Sequence, residues 1–170
     1  MHGILHFMAQ RVELENADDN LCFGCGPENP MGLKLKFFRE GEGVTTECLA
    51  TKWWSGQPGT VNPGIVYAVL VDIIIWTASA ILHRVPLMPK TVDMKLGDFS
   101  TKRPILGNGW IVRRDAPTAQ IRAELRQDEI LSAWLEMETR SVTREEYQKA
   151  RPLVELPNSL QAFFEEQTPQ

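Results

Sequence analysis

Asp72 is a single carboxylate in the middle of an apolar run, GTVNPGIVYAVLVDIIIWTASAIL, residues 59–82. A carboxylate so placed has two uses. Hydrogen-bonded on its sides, it ties a structure together; facing a pocket, it is a general base, general acid or nucleophile with a pKa raised by burial. The tripeptide Asn62-Pro63-Gly64 stands at the entrance to the run. It has the chemistry of a helix start, because Asn accepts well at the N-cap and Pro fits the first helical position. Both uses stay open for Asp72.

Cys22-Phe23-Gly24-Cys25 is a CxxC pair. Structural zinc usually takes four ligands, and His2, His6 and His83 lie far from the pair in sequence. A redox CxxC normally opens a helix, whereas this one runs into Gly-Pro-Glu-Asn-Pro, which is turn chemistry. The pair is therefore read as structural, with no metal. Lys102-Arg103 and Arg113-Arg114 have the charge to meet phosphates but read as solvated strand ends. Trp53, Trp54 and Trp76 could line an acyl or aryl pocket or simply fill a core.

These side chains need elements to position them. A chain of 170 residues is long enough for one domain with a real core, and 43% apolar with 24% charged residues is ordinary globular composition. The net charge of −4 gives no electrostatic reason to expect nucleic acid or an anionic membrane as partner. The first residues lack a basic region followed by an apolar one, and three cysteines are too few for a disulfide framework, so a cytoplasmic chain with reduced thiols is expected. Ile65–Leu82 is at the short end for a membrane span, and a central acid costs on the order of 2.5–3.5 kcal/mol there, so a helix enclosed in a soluble fold is expected instead.

That helix should cover about 62–83, capped by Asn62, closed by His83 and Arg84, and stopped by Val85-Pro86. Before it, a polar leader (1–20) and a turn cluster lead to a strand in which Leu33, Leu35 and Phe37 alternate with Lys34 and Lys36. A second strand over 44–51 and a loop, 52–60, with two exposed tryptophans follow. After the helix come four strand-like runs: TVDMKLGDFS with alternating Val92, Met94 and Leu96, then GNGWIVRRDA, TAQIRAELRQ and EILSAWLEMETRSV. Gly107-Asn108-Gly109, Ala116-Pro117 and Asp128-Glu129 are expected as turns. A helical tail (143–170) closes the chain, with TREEYQKA and LPNSLQAFFEEQ as its helices. The order implies an α+β fold, an antiparallel sheet wrapped around one central helix, over residues 21–142.

The stretches CFGCGPENPMGLKLKF and WSGQPGTVNPGIVYAVLVD, with Arg103-Pro104 and Gly107 before a strand, resemble the hotdog-fold thioesterases of the phenylacetic-acid-degradation type over roughly residues 22–141. The resemblance implies a homodimer or dimer of dimers, no cofactor beyond coenzyme A as part of a substrate, and an acyl-thioester held between subunits. In such proteins a His-Gly-Gly at the helix start polarises the carbonyl and an acid two turns along the partner subunit's helix is base or nucleophile. By this resemblance Asp72, Asn62 and Gly64 are the catalytic candidates, and Trp54, Pro63, Val71 and Trp76 the substrate-binding ones. Two departures stand out. Pro63 has no N–H where the family has a donor amide, and loss of one oxyanion donor costs on the order of 10²–10³ in turnover. The family's acid position falls on Val71, and Asp72 is turned by about 100° from it around the helix. The expected functions are acyl-thioester hydrolysis, a non-hydrolytic dimer that binds or transforms a hydrophobic small molecule, or a structural dimer.

Overall fold

The computed structural model describes residues 10–83 and 86–150. Its elements run β1 (Arg11–Glu13), β2 (Phe37–Glu40), β3 (Gly43–Leu49), a 3₁₀ turn (Lys52–Trp54), α1 (Pro63–Leu82), β4 (Pro86–Lys95), β5 (Pro104–Asp115), β6 (Thr118–Gln127), β7 (Ile130–Ser141) and α2 (Arg144–Ala150). All strands join one antiparallel sheet in the order β1-β2-β3-β5-β6-β7-β4. One long helix, α1, lies on that sheet against β3, β5, β6 and β7. This is the expected sheet around a central helix, the hotdog arrangement.

The helix forms where its punctuation sits. Asn62 caps it in extended conformation, Pro63 occupies the first turn, and His83 ends it in the left-handed region. The run is long and apolar enough to cross a membrane by length and composition, yet Val69, Leu70, Ile73 and Ile74 are buried against the sheet. Removing that much apolar surface from water is what fixes the helix in place.

Several expectations are corrected. Gly107 and Gly109 form no turn; they lie inside β5. A Cβ at Gly109 would fall 2.4 Å from Thr77 Oγ1 and 2.5 Å from Ile73 Cγ2, and one at Gly107 would fall 2.7 Å from Ile73 Cδ1. The glycines let α1 approach the strand, a close-contact role that the turn-like sequence Gly-Asn-Gly conceals. Residues 33–36 keep the expected alternation of buried and exposed side chains but are not strand. Lys34 is left-handed (φ 58°), and the Leu33 and Leu35 amides bond to Phe23 O and Gly24 O instead of a neighbouring strand.

Of the two tryptophans expected outside, Trp53 is 81% exposed but Trp54 is buried. Val92 and Met94 in β4 and Leu96 just after it are all exposed, because β4 is the sheet's edge and, among the described residues, pairs only with β7. Residues Arg11–Glu13, expected in a leader, extend the other edge by pairing with β2. The expected turns at Ala116-Pro117 and Asp128-Glu129 join β5 to β6 and β6 to β7. In the tail, α2 forms over the first expected helix, while LPNSLQAFFEEQ lies outside the described residues.

Candidate functional site: a carboxylate on a cysteine loop

The turn cluster before β2 is held by its own polar side chains. Asn20 Oδ1 accepts the Cys22 N–H at 2.8 Å, Asn16 Nδ2 donates to Cys25 O at 2.7 Å, and Asn20 Nδ2 donates to Asn16 Oδ1. Gly26 N–H bonds Cys22 O at 2.9 Å, closing a knuckle, and Lys34 Nζ reaches Gly26 O from outside. Asn and Gly serve here because short side-chain acceptors and absent Cβ atoms let a tight loop satisfy its backbone groups.

Asp72 projects from α1 onto this knuckle. It is 7% exposed, and Cys22 Sγ lies 3.9 Å from each of its oxygens. The ligand atoms of Cys22, Cys25 and Asp72 all lie within 4.8 Å of one another. Gly24 is the seat: a Cβ there would stand 2.0 Å from Asp72 Oδ2 and 2.5 Å from its Cγ. Burial lifts Asp72 to about 7, and the neighbouring Cys22 sulfur pushes the same way. Cys22 is drawn down to about 5, first by the Cys25 thiol donating to it and then, against burial, by the Gly24 and Cys25 amides. Cys25 is raised far above an ordinary thiol, because it is the donor in that bond and is buried. The three groups thus accommodate a first negative charge and resist a second.

The other sequence candidates sit elsewhere. Asn62 Oδ1 accepts the Gly64 N–H at 2.8 Å, so the two proposed carbonyl polarisers bond to each other. Pro63 is exposed beside them. An open cleft of about 1140 Å³ begins near this helix end, lined by Trp54, Ile65, Phe23, Met31, Leu33 and Phe38 among others, with Arg11, Lys34 and Lys36 on its polar rim. Trp54 is therefore both core and cleft wall. Trp76 stacks on Phe37 (ring centroids 5.3 Å apart) and lines a smaller cavity of about 500 Å³ together with Cys25. Val71 packs half-buried against the core. Asp72, Asn62, Gly64, Pro63 and Val71 line neither of these two cavities.

Sequence reasoning set the cysteines aside for lack of further ligands in the chain nearby. It missed that α1 carries Asp72 to them, fifty residues on. The trace in the sequence was Gly24, a residue without a side chain between two cysteines, opposite which something can be seated. The basic candidates are ordinary: Arg103 pairs with Asp128, Arg113 with Asp115 and Arg114 with Glu42, all exposed.

No protein-family model matches the sequence, and no curated protein matches it. Solved structures do match. A thioesterase superfamily protein superposes with a TM-score of 0.65 at 16% identity, covering 75% of this chain and 68% of that one. A phenylacetic acid degradation-related protein from Ralstonia eutropha gives 0.53 at 19%, covering 64% and 85%. A mutant acyl-CoA hydrolase from Staphylococcus aureus gives 0.57 at 13%, covering 61% and 68%. At these identities the likeness is one of fold, and the chain has the hotdog fold of these thioesterase-superfamily structures.

Proposed function

We propose that this chain is an acyl-thioester hydrolase-like protein that takes an acyl-CoA or acyl-carrier-protein thioester, with the acyl chain in the large cleft and the carbonyl at the N-terminal end of α1. One observation carries this reading: the cleft's apolar wall reaches the helix start. Trp54 and Ile65 both line the cleft, and Trp54 O accepts the Asn62 N–H at 2.8 Å. A helix N-terminus presents positive charge to an oxygen that becomes negative during acyl transfer. Gly64 N–H is the donor on offer once the Asn62 side chain turns away from it, and Asp72 of the partner subunit is the acid across the pocket. The working unit of this reading is a homodimer or dimer of dimers in the cytoplasm; the exposed edge strand β4, with Val92 and Met94 outside, supports assembly through the sheet.

A second reading is favoured by the seating of Asp72. Its carboxylate lies on the cysteine loop and not in the cleft wall, and the Gly64 amide is already bonded. In this reading the fold binds an acyl or aryl compound, or promotes a cyclisation, elimination or rearrangement, without hydrolysing it. Free-thiol release from short, long and aryl acyl-CoAs separates the two. Turnover that disappears in folded Asp72→Asn supports hydrolysis with Asp72 as base. No release across the panel, together with a raised melting temperature in the presence of acyl-CoA, supports the second.

A further inference from the structure

We propose that Cys22, Cys25 and Asp72 form a binding site for a thiophilic divalent cation, zinc by chemistry, with a fourth position open to water or an exogenous ligand. It goes beyond the function proposed above and sides with the second reading, since a carboxylate that ligates an ion is not a free base.

The argument is geometric. Zinc takes thiolate at about 2.3 Å and carboxylate oxygen at about 2.0–2.2 Å in a tetrahedron, so its ligand atoms stand roughly 3.5–3.8 Å apart. Cys22 Sγ stands 3.9 Å from both Asp72 oxygens, and the three ligand atoms stay within 4.8 Å of one another. A contraction of up to about 1 Å around an ion completes the set. Two thiolates and one carboxylate select a borderline-soft ion over magnesium or calcium, which prefer all-oxygen sites.

The site is also prepared by its surroundings. The knuckle is fixed by Asn16 and Asn20, and Gly24 leaves the gap that Asp72 fills. Cys25 lines the smaller cavity, which gives an ion a way in. Binding releases the thiol protons to solvent and breaks no bond, so no further reactant is required.

The test uses the full chain, reduced with a phosphine, stripped with chelator and titrated with Co²⁺ and then Zn²⁺. The expected result is one Co²⁺ per chain, with tetrahedral d–d absorption and sulfur-to-cobalt charge transfer, displaced by Zn²⁺. Cys22→Ser and Cys25→Ser abolish the charge-transfer band at equimolar metal or halve its intensity, and Asp72→Asn weakens Co²⁺ binding at least about tenfold. Wild-type protein with both thiols titratable and no charge-transfer band in excess Co²⁺ overturns the proposal without any variant having to fold. Binding that Asp72→Asn leaves unchanged overturns the three-residue site. The outcome is separate from hydrolysis: loss of thiol release in Asp72→Asn with full turnover in metal-free wild type and in Cys22→Ser supports the base reading against this one.

Discussion

The seating of Asp72 on Gly24 is a claim about two atoms in space, and a double-mutant cycle tests it. The three heavy atoms nearest a Cβ built on Gly24 are Asp72 Oδ2 at 2.0 Å, Cγ at 2.5 Å and Oδ1 at 3.0 Å. Among the described residues, its two chain neighbours aside, no other atom is as close, so the obstruction to Gly24→Ala is the carboxylate itself. Overpacking a well-ordered site costs about 1–3 kcal/mol, and for a chain of this length each kcal/mol lowers the melting temperature by about 2–4 °C. Asp72→Ala deletes all three obstructing atoms, so Gly24→Ala should cost little in that background. Urea unfolding of the wild type, both single variants and the double variant, in reductant and chelator, should give a coupling energy of at least about 1 kcal/mol favouring the double variant. The sign of Asp72→Ala alone does not matter to the cycle. Additivity within about 0.5 kcal/mol would refute the reasoning, because it would mean that Asp72 does not occupy the space above Gly24.

Three further outcomes are expected. Gly109→Ala drives a methyl into Thr77 and Ile73 on the buried face of α1 and should lower stability by about 1–3 kcal/mol in the same urea assay. Asn62→Ala removes the helix cap and should cost about 0.5–2 kcal/mol, while leaving the Gly64 N–H without its present partner; faster hydrogen exchange at Gly64, read by NMR, checks that bond. In chelator, Asp72 raised from 3.8 to about 7 contributes stability that is full below pH 4 and lost as pH rises toward 7, whereas Cys22 lowered from 9.0 to about 5 adds stability as pH rises from 5 toward 9. Wild-type stability measured against pH should therefore fall between pH 4 and 5, level between 5 and 7 and rise above 7, and Cys22→Ser should continue to fall to pH 7.

The fold was legible where short-range chemistry and long-range packing agree. The Asn-Pro start of α1 and the paired turns at Ala116-Pro117 and Asp128-Glu129 are local devices, and the structure has an element boundary at each. The glycines of β5 were misleading for the opposite reason. Locally Gly-Asn-Gly is a turn, and only the helix lying across it makes a strand with two missing side chains the better solution. Lys34 shows the same tension. The period-two pattern correctly predicted which side chains are buried, but the ladder partner is a loop, Phe23 and Gly24, whose position no pattern within residues 31–40 encodes.

The candidate site was half legible, and the missing half changes its chemistry. One residue along a helix turns a side chain by about 100°. By the resemblance, an acid at position 71 would face one way; at 72 it meets the cysteine knuckle, and Val71 packs against the core instead. A carboxylate moved off a cleft would be a costly orphan in an apolar interior. It is tolerated because thiols and a side-chain-free Gly24 receive it. Asp72, Gly24 and the CxxC therefore make physical sense only as a set. Cys22 and Cys25 without Asp72 are two ligands short of a metal site, Asp72 without them is a buried charge without a partner, and Gly24 without Asp72 has no reason to be glycine. A set of residues that explain one another, fifty positions apart, is stronger ground for a common ligand than any one of them is for catalysis.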